Sequence, residues 1–275
     1  MFRKKYSPQQ QIFKLKIMRP IWTGAIGFGL VNIPVKLYSA TESSNVDLDM
    51  LDKKDHSHIK YLRVNEKTGK EVPWANIVKG YDTGSKYVVL DEADFEKAGA
   101  EKTKLIEITD FVKQEEIDSV YYETPYYLAP EKSGVRPYAL LREALIKTKR
   151  AGVASFVMRN KEHLAILRVS GDAIILNRIR FHEEIRPTTE LALPAKTVVK
   201  PAELKMAIAL VDQLSGTFDI TGYKDNYTAS LMKVINAKAK GKKTEAPVMK
   251  VVHSKAKDLM EQLKASIESK RKKAS

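Results

Sequence analysis

The chain of 275 residues contains no cysteine. Disulfides and thiolate zinc sites are therefore excluded, a composition that suits a reducing compartment. No apolar run approaches the ~18 residues needed to cross a membrane. Lys14 and Lys16 interrupt the one apolar patch near the start, so no secretory segment is read there. The expected location is the cytoplasm, with no membrane partner. Catalytic signatures are missing as well: there is no P-loop, no G-x-S-x-G, no H-E-x-x-H and no G-x-G-x-x-G. Gly24, Gly27 and Gly29 are wrongly spaced for the last and precede no helical pattern. The five histidines, His56, His58, His163, His182 and His253, are scattered, with no thiol to partner them. This pattern places no nucleophile beside a base and no metal cluster, so the expectation is a binding protein without cofactor, not an enzyme.

What the chain has in excess is positive charge, and its placement is informative. The net charge is +14, with 48 Lys and Arg against 34 Asp and Glu. Residues 1 to 19 hold six bases and no acid, and residues 224 to 275 hold 14 bases against 5 acids. The remainder, with 28 bases and 29 acids, is close to neutral. Cationic ends on a neutral body favour a polyanion such as nucleic acid, the alternative being tails that only aid solubility. Residues 1 to 17 lack periodicity and precede a second methionine, Met18; they are set aside as a disordered basic extension or a mis-assigned start.

Residues 20 to 41 organise the rest. Ile26, Phe28 and Leu30 alternate with small residues, and the apolar positions then change phase to Val31, Ile33, Val35 and Leu37. This predicts one long strand broken by a bulge. Pro34 lacks a ladder donor and fits a bulge or an edge, while the glycines at 24, 27 and 29 admit close backbone approach. A small barrel suits such a strand.

Downstream, residues 46 to 51 and 59 to 64 read as strands, with the turn of a hairpin at 65 to 70. His56 and His58 share a strand face and read as solvated. Residues 86 to 90 form a short strand, and residues 91 to 97 have the acidic first turn and basic end of a short helix, stopped by Gly99. Leu105, Ile106 and Ile108 continue in strand, and strands at 120 to 122 and 126 to 128 flank Thr124 and Pro125. Pro137 is read at the first position of a helix whose one face carries Tyr138, Leu141, Leu145 and Thr148. A meander follows over 153 to 158, 163 to 169 and 173 to 181, with turns at 160 to 162 and 170 to 172. In its last strand Arg178 and Arg180 share a face, about 7 Å apart. They either track a phosphate backbone or pair across strands with Glu183 or Glu162.

From residue 194 the composition turns helical. Pro201 opens a segment with Leu204, Ala207, Ile208, Val211 and Leu214 on one stripe, ended by Gly216. A second helix carries Tyr223, Tyr227, Leu231 and Val234. These stripes are ordinary packing signals and also suit contact with another subunit. A linker over 237 to 247 holds Lys238, Lys240, Lys242 and Lys243. A last amphipathic helix uses Ala256, Leu259, Met260, Leu263 and Ile267 before Lys270, Arg271, Lys272 and Lys273. The fold class read from these patterns is mixed α/β, mainly β.

The run W-x-G-x-I-x-F-G-L-V-N-I-P-V-K-L-Y-S-A from Trp22 to Ala40 resembles the opening of the bacterial Ku proteins, the DNA-end-binding factors of non-homologous end joining. Further stretches resembling that family follow in order: Val72-Pro73-Trp74, Ile77-Val78-Lys79-Gly80-Tyr81, Tyr87-Val88-Val89-Leu90, Tyr126-Tyr127-Leu128-Ala129-Pro130 and Leu210-Val211-Asp212-Gln213-Leu214. The resemblance implies a Ku-type β-barrel core over 18 to 195 with a bridging arm at about 53 to 90. A helical arm for dimerisation over 196 to 236 and a basic linker, helix and tail over 237 to 275 would follow. It implies a homodimeric ring that threads double-stranded DNA ends without reading sequence, and recruits an ATP-dependent DNA ligase through the C-terminal helices. By region, Lys60, Arg63, Lys70, Lys79 and Lys86 become candidates to line the channel, with the tail bases adding phosphate contacts. Many bacterial relatives resemble a zinc ribbon in the arm; here Asn65 and Thr68 stand where paired cysteines are expected, so no metal is expected. Two other readings compete: a general nucleic-acid-binding or RNA chaperone protein acting through its tails, and a metal-dependent nuclease using Asp91, Glu92 and Asp94.

Overall fold

The phase change after Leu30 is a turn and not a bulge. In this computed structural model, which describes residues 18–98, 103–193, 200–242, 262–264 and 266–267, β1 (Trp22–Phe28) and β2 (Val31–Ser39) are separate antiparallel strands. Gly29, at φ 57°, and Leu30 make the two-residue connection, with glycine at the first central position as a II′ hairpin turn demands. Leu30 is fully exposed. Its apolar side chain carried the alternation past the strand end and disguised the turn.

β3 (Lys79–Asp82) and β4 (Tyr87–Leu90) form a two-stranded sheet of their own, followed by α1 (Glu92–Ala98). The remaining strands are β5 (Leu105–Lys113), β6 (Tyr122–Pro130), β7 (Arg150–Met158), β8 (Lys161–Ser170) and β9 (Ala173–Ile179). With the first two they close a barrel in the order β1-β2-β6-β9-β8-β7-β5. Closure is the parallel pairing of β1 with β5 from Ala25↔Leu105 to Gly27↔Glu107, which removes the free edges of an open sheet. Close approach explains Gly24, where a Cβ would come within 2.3 Å of the Lys104 carbonyl oxygen.

Pro34 pairs with Ala25 of β1, while the pairing of β2 with β6 begins only at Val35, so the proline stands at a local edge of the ladder and not at a bulge. Its missing N–H falls just past the end of the β2–β6 pairing at Val35↔Pro130, and its carbonyl accepts a bond from Glu131 N at 2.9 Å. The ladder therefore loses nothing. Residues 120 to 128 are likewise not two strands: residues 119 to 121 make a short 3₁₀ turn, and β6 runs through Thr124 with a register shift between Tyr122 and Pro125. The meander turns are tighter than the composition suggested. Arg159 and Asn160, both left-handed, join β7 to β8, and Gly171 and Asp172 join β8 to β9.

Alternating residues of the barrel strands, among them Ile26, Ile33, Leu37, Ile106, Leu128, Phe156, Leu167 and Leu176, form one buried cluster. α2 (Val135–Thr148) adds Tyr138, Leu141 and Leu145 to it. Tyr138 is the fastening: its hydroxyl donates to the Leu128 carbonyl at 2.8 Å and accepts from Ile174 N at 2.7 Å. Burial pushes this phenol above its ordinary pKa and keeps it a donor. Pro137 is the third helical residue and not the first, and Thr148 is exposed, its hydroxyl donating back to Ala144 O at 2.7 Å.

The described residues divide into two compact units, one within 18–43 and 50–187 and one within 44–49 and 188–267. In the second, α3 (Pro201–Leu214) starts with proline at its first position and α4 (Asn226–Ala239) is capped by Asp225, whose side chain accepts from Thr228 N at 2.9 Å. Neither helix has a buried residue. Tyr223 precedes α4, and Lys238 belongs to that helix, not to a linker. Gly99, residues 1 to 17, Lys243, Ala256, Leu259, Met260, Lys270, Arg271, Lys272 and Lys273 lie outside the described residues.

Candidate nucleic-acid interface

Residues 53 to 90 carry eight Lys or Arg against four Asp or Glu. No residue from 50 to 90 is buried. The expected strands at 46 to 51 and 59 to 64 reduce to isolated bridges, Leu51↔His58 and Val64↔Glu71, because alternation without an opposing apolar layer gives a strand nothing to pack on. The turn at 65 to 70 does form, with Asn65 N donating to Lys70 O at 2.9 Å and Gly69 at φ 65°.

Lys60, Arg63, Lys70, Lys79 and Lys86 are all exposed here, and none takes part in an ion pair found among the described residues. Two are positioned by aromatic rings. The Arg63 guanidinium lies 4.6 Å from the Trp74 ring centroid, and the Lys79 ammonium 4.7 Å from that of Phe95. Such contacts, roughly 0.5–1 kcal/mol at exposed sites, fix a cation's direction without neutralising it. Lys79 also borders a cleft of about 570 Å³ with Phe95, Glu92, Arg159 and Lys161. Arg159 and Lys161 escaped the sequence reading, since only the barrel brings the β7–β8 turn to α1. Lys53, Lys54 and Lys67 are further exposed cations of the arm, hidden in sequence by the acids beside them.

Arg178 and Arg180 are differently placed. Arg178 Nε donates to Glu123 Oε2 at 2.6 Å, and Arg180 NH2 lies 3.5 Å from Glu123 Oε1. A second Arg180 nitrogen donates to the carbonyls of Val120 and Tyr122 at 3.1 and 2.9 Å. The acid that pairs with both is thus Glu123, and neither Glu183 nor Glu162. Beside them His163 is held below its ordinary pKa by burial, with the Arg178 and Lys161 charges adding to the effect. Lys238, Lys240 and Lys242 are exposed at or just beyond the end of α4, where cations complement the helix dipole.

The acids suspected of holding a metal close a turn. Asp91 Oδ1 accepts from Asp94 N at 2.9 Å and Asp94 Oδ2 from Asp91 N at 3.1 Å, a reciprocal cap on α1. An apolar pocket of about 310 Å³ lined by Ile117, Leu164, Ile166 and Ile179 also carries Glu116, Asp118 and His182. Its carboxylates accept from Lys113 N and Val120 N, closing the chain turns around it. Zinc does not fit the arm: Asn65 and Thr68 offer only neutral oxygens, and Asn65 Oδ1 already accepts from Lys67 N and Thr68 N, each at 3.0 Å. Among the described residues no helix is long and apolar enough to cross a membrane.

Comparison with known proteins matches this architecture. Residues 27–206 match the Ku70/Ku80 beta-barrel domain. The non-homologous end joining protein Ku of Coxiella burnetii is 41% identical over 262 residues, covering 92% of this chain and 96% of that one. The protein of the same name from Opitutus terrae is 44% identical over 80% of each chain, and that from Bacillus subtilis 39% over 93% of this chain and 83% of its own. With a closed barrel of the matching kind and these relatives aligned over 80% or more of their length, the chain belongs to the Ku family.

Proposed function

We propose that this protein binds broken ends of double-stranded DNA in non-homologous end joining, as a homodimer whose two barrels and arms close a ring around the duplex. The reading rests first on the arm. It is rich in unneutralised cations, yet exposes Tyr61, Trp74, Val78, Tyr81, Tyr87 and Val89 at 58% or more. Apolar area of that extent calls for a partner, and a two-fold pairing covers it with the same surface of a second copy. The stripe of Leu204, Ile208, Val211 and Leu214 on α3, each 49% exposed or more, offers a second self-complementary surface.

Lys60, Arg63, Lys70, Lys79 and Lys86 then meet phosphates and not base edges, so affinity is independent of sequence and falls steeply with salt, by about 0.9 in log K per log salt for each phosphate neutralised. The bases at 238, 240, 242, 243 and 270 to 273 add outer phosphate contacts, and Arg178 and Arg180 do so only by dividing their donors between Glu123 and a phosphate. The ring is a non-enzymatic scaffold in the cytoplasm, on the nucleoid, and its C-terminal helices recruit an ATP-dependent DNA ligase.

The test is retention on a linear duplex against a covalently closed circle of the same sequence at one salt concentration. Binding to the linear form alone, lost when bulky caps block both ends, supports loading over an end. Equal binding to both overturns it and favours a general nucleic-acid binder driven by the tails.

A further inference from the structure

Ile166 is 1% exposed yet stands outside the buried cluster of the barrel interior, to which its neighbours Ala165 and Leu167 belong. Its side chain therefore points outward and is covered from outside. The connection from β5 to β6, with 3₁₀ turns at residues 114–116 and 119–121, borders this outer wall. Arg180 ties it down by donating to the carbonyls of Val120 and Tyr122, and Tyr121 Oη lies 3.3 Å from His182 Nδ1. The cover leaves space beside it. There lies the apolar pocket of about 310 Å³, between Ile117 and the outward side chains of Val153, Leu164, Ile166 and Ile179. That volume is at the lower end of what ligand-binding pockets offer, and suits one aromatic with one branched side chain.

The rim of the pocket is acidic. Residues 114–121 contain Glu115, Glu116 and Asp118 and no base, and Glu183 and Glu184 follow His182. All five acids are exposed, and none is in an ion pair found among the described residues. On a chain of net charge +14, such a rim turns phosphate away and favours a segment whose apolar side chains lie between bases. The chain carries one next to the barrel. Its N-terminal extension, residues 1 to 17, has Arg3, Lys4, Lys5, Lys14 and Lys16 and no acid, and its apolar patch runs Ile12-Phe13-Lys14-Leu15-Lys16-Ile17. Six residues set no period for the whole extension, but an extended chain would put Phe13 and Leu15 on one side and Lys14 and Lys16 on the other. Reach is sufficient. The patch joins the barrel at Met18, just ahead of β1, and six extended residues cover about 20 Å. The pocket begins at Val112 on β5, the strand beside β1, and continues over β7, β8 and β9, each about 4.8 Å further round. We infer that the N-terminal extension docks on its own barrel, Phe13 and Leu15 filling this pocket while Lys14 and Lys16 meet the carboxylates of its rim. The docking does not depend on how the protein meets DNA.

The test is zero-length carbodiimide coupling of the full chain, mixed with an equal amount of heavy-isotope-labelled chain and read by peptide mass. The expected products are amide links from Lys14 or Lys16 to Glu115, Glu116, Asp118 or Glu183 within one chain. In the variant Phe13→Ser, Leu15→Ser, which keeps both lysines and changes no barrel strand, these links should fall by about fivefold or more, as for the loss of two buried apolar side chains. Equal coupling in parent and variant would leave only attraction between charges and overturn the docking. Links that join light to heavy chains would give the pocket to the extension of a second copy and overturn the seating within one chain. Absence of the links would overturn it too, leaving the pocket to a separate partner, as would a native protein whose mass shows that it begins at Met18.

Discussion

The barrel and the arm solve the same problem in opposite ways. In the barrel, Ile26, Leu37, Leu167 and Leu176 are wholly buried against one another, and every strand is paired on both sides. Its stability is internal to one chain. The arm also carries large apolar side chains, but leaves Tyr81 68% and Trp74 71% exposed. Its local turns are closed by side chains such as Asn65, Asp52 and Thr83. The lesson is that tight turns and scattered bridges can shape a segment, whereas only buried area stabilises it. On the proposed reading, a second copy of the chain supplies the area that the arm lacks.

That contrast can be broken at its strongest point first. Leu167→Ala in the barrel should lower unfolding free energy by roughly 2–5 kcal/mol in urea titrations, while Tyr81→Ala should change it by less than about 1 kcal/mol in the dilute, DNA-free protein. Tyr138→Phe comes next. It strands the Ile174 N–H and the Leu128 carbonyl in the core, at a cost of about 1–3 kcal/mol, measured in the same way. In the arm, Tyr81→Ser with Val88→Ser, which face each other across β3 and β4, should weaken self-association about tenfold or more without moving the barrel's thermal transition. Lys79→Ala with Lys86→Ala should flatten the slope of log affinity against log salt by about 0.9 for each phosphate no longer neutralised.

The smallest effect is one of pH. The hydrogen bonds from Thr228 hold the Asp225 carboxyl below its ordinary pKa. A depressed carboxylate contributes its stabilisation above the ordinary carboxylate pKa and loses it as pH falls through the folded value. Helicity of α4 should therefore decline at the acid end, and Asp225→Asn, which keeps a capping oxygen, should remove that dependence in circular dichroism.

The barrel was legible because alternation and burial coincide there: Ile33, Val35 and Leu37 point inward as their spacing requires. The hairpin at Gly29 was not, since an exposed Leu30 continued the apolar rhythm through the turn. Pro34 was legible as a residue needing no ladder donor, but that it marks the end of the β6 pairing and not a bulge depends on β6. The partner of Arg178 and Arg180 was also out of reach. Glu123 is 55 residues from Arg178, and only the β6–β9 pairing with its register shift brings it there. In the arm, the cations were legible as residue types, while the rings that aim Arg63 and Lys79 emerged only from the three-dimensional contacts.

The central claim is that a second copy of the chain covers the arm, and sedimentation equilibrium of the DNA-free protein tests it most directly. The account predicts twice the mass of the chain for the parent protein and a shift toward the single-chain mass for the Tyr81→Ser, Val88→Ser variant. A parent protein with the mass of one chain at every concentration measured, its barrel intact, would contradict it.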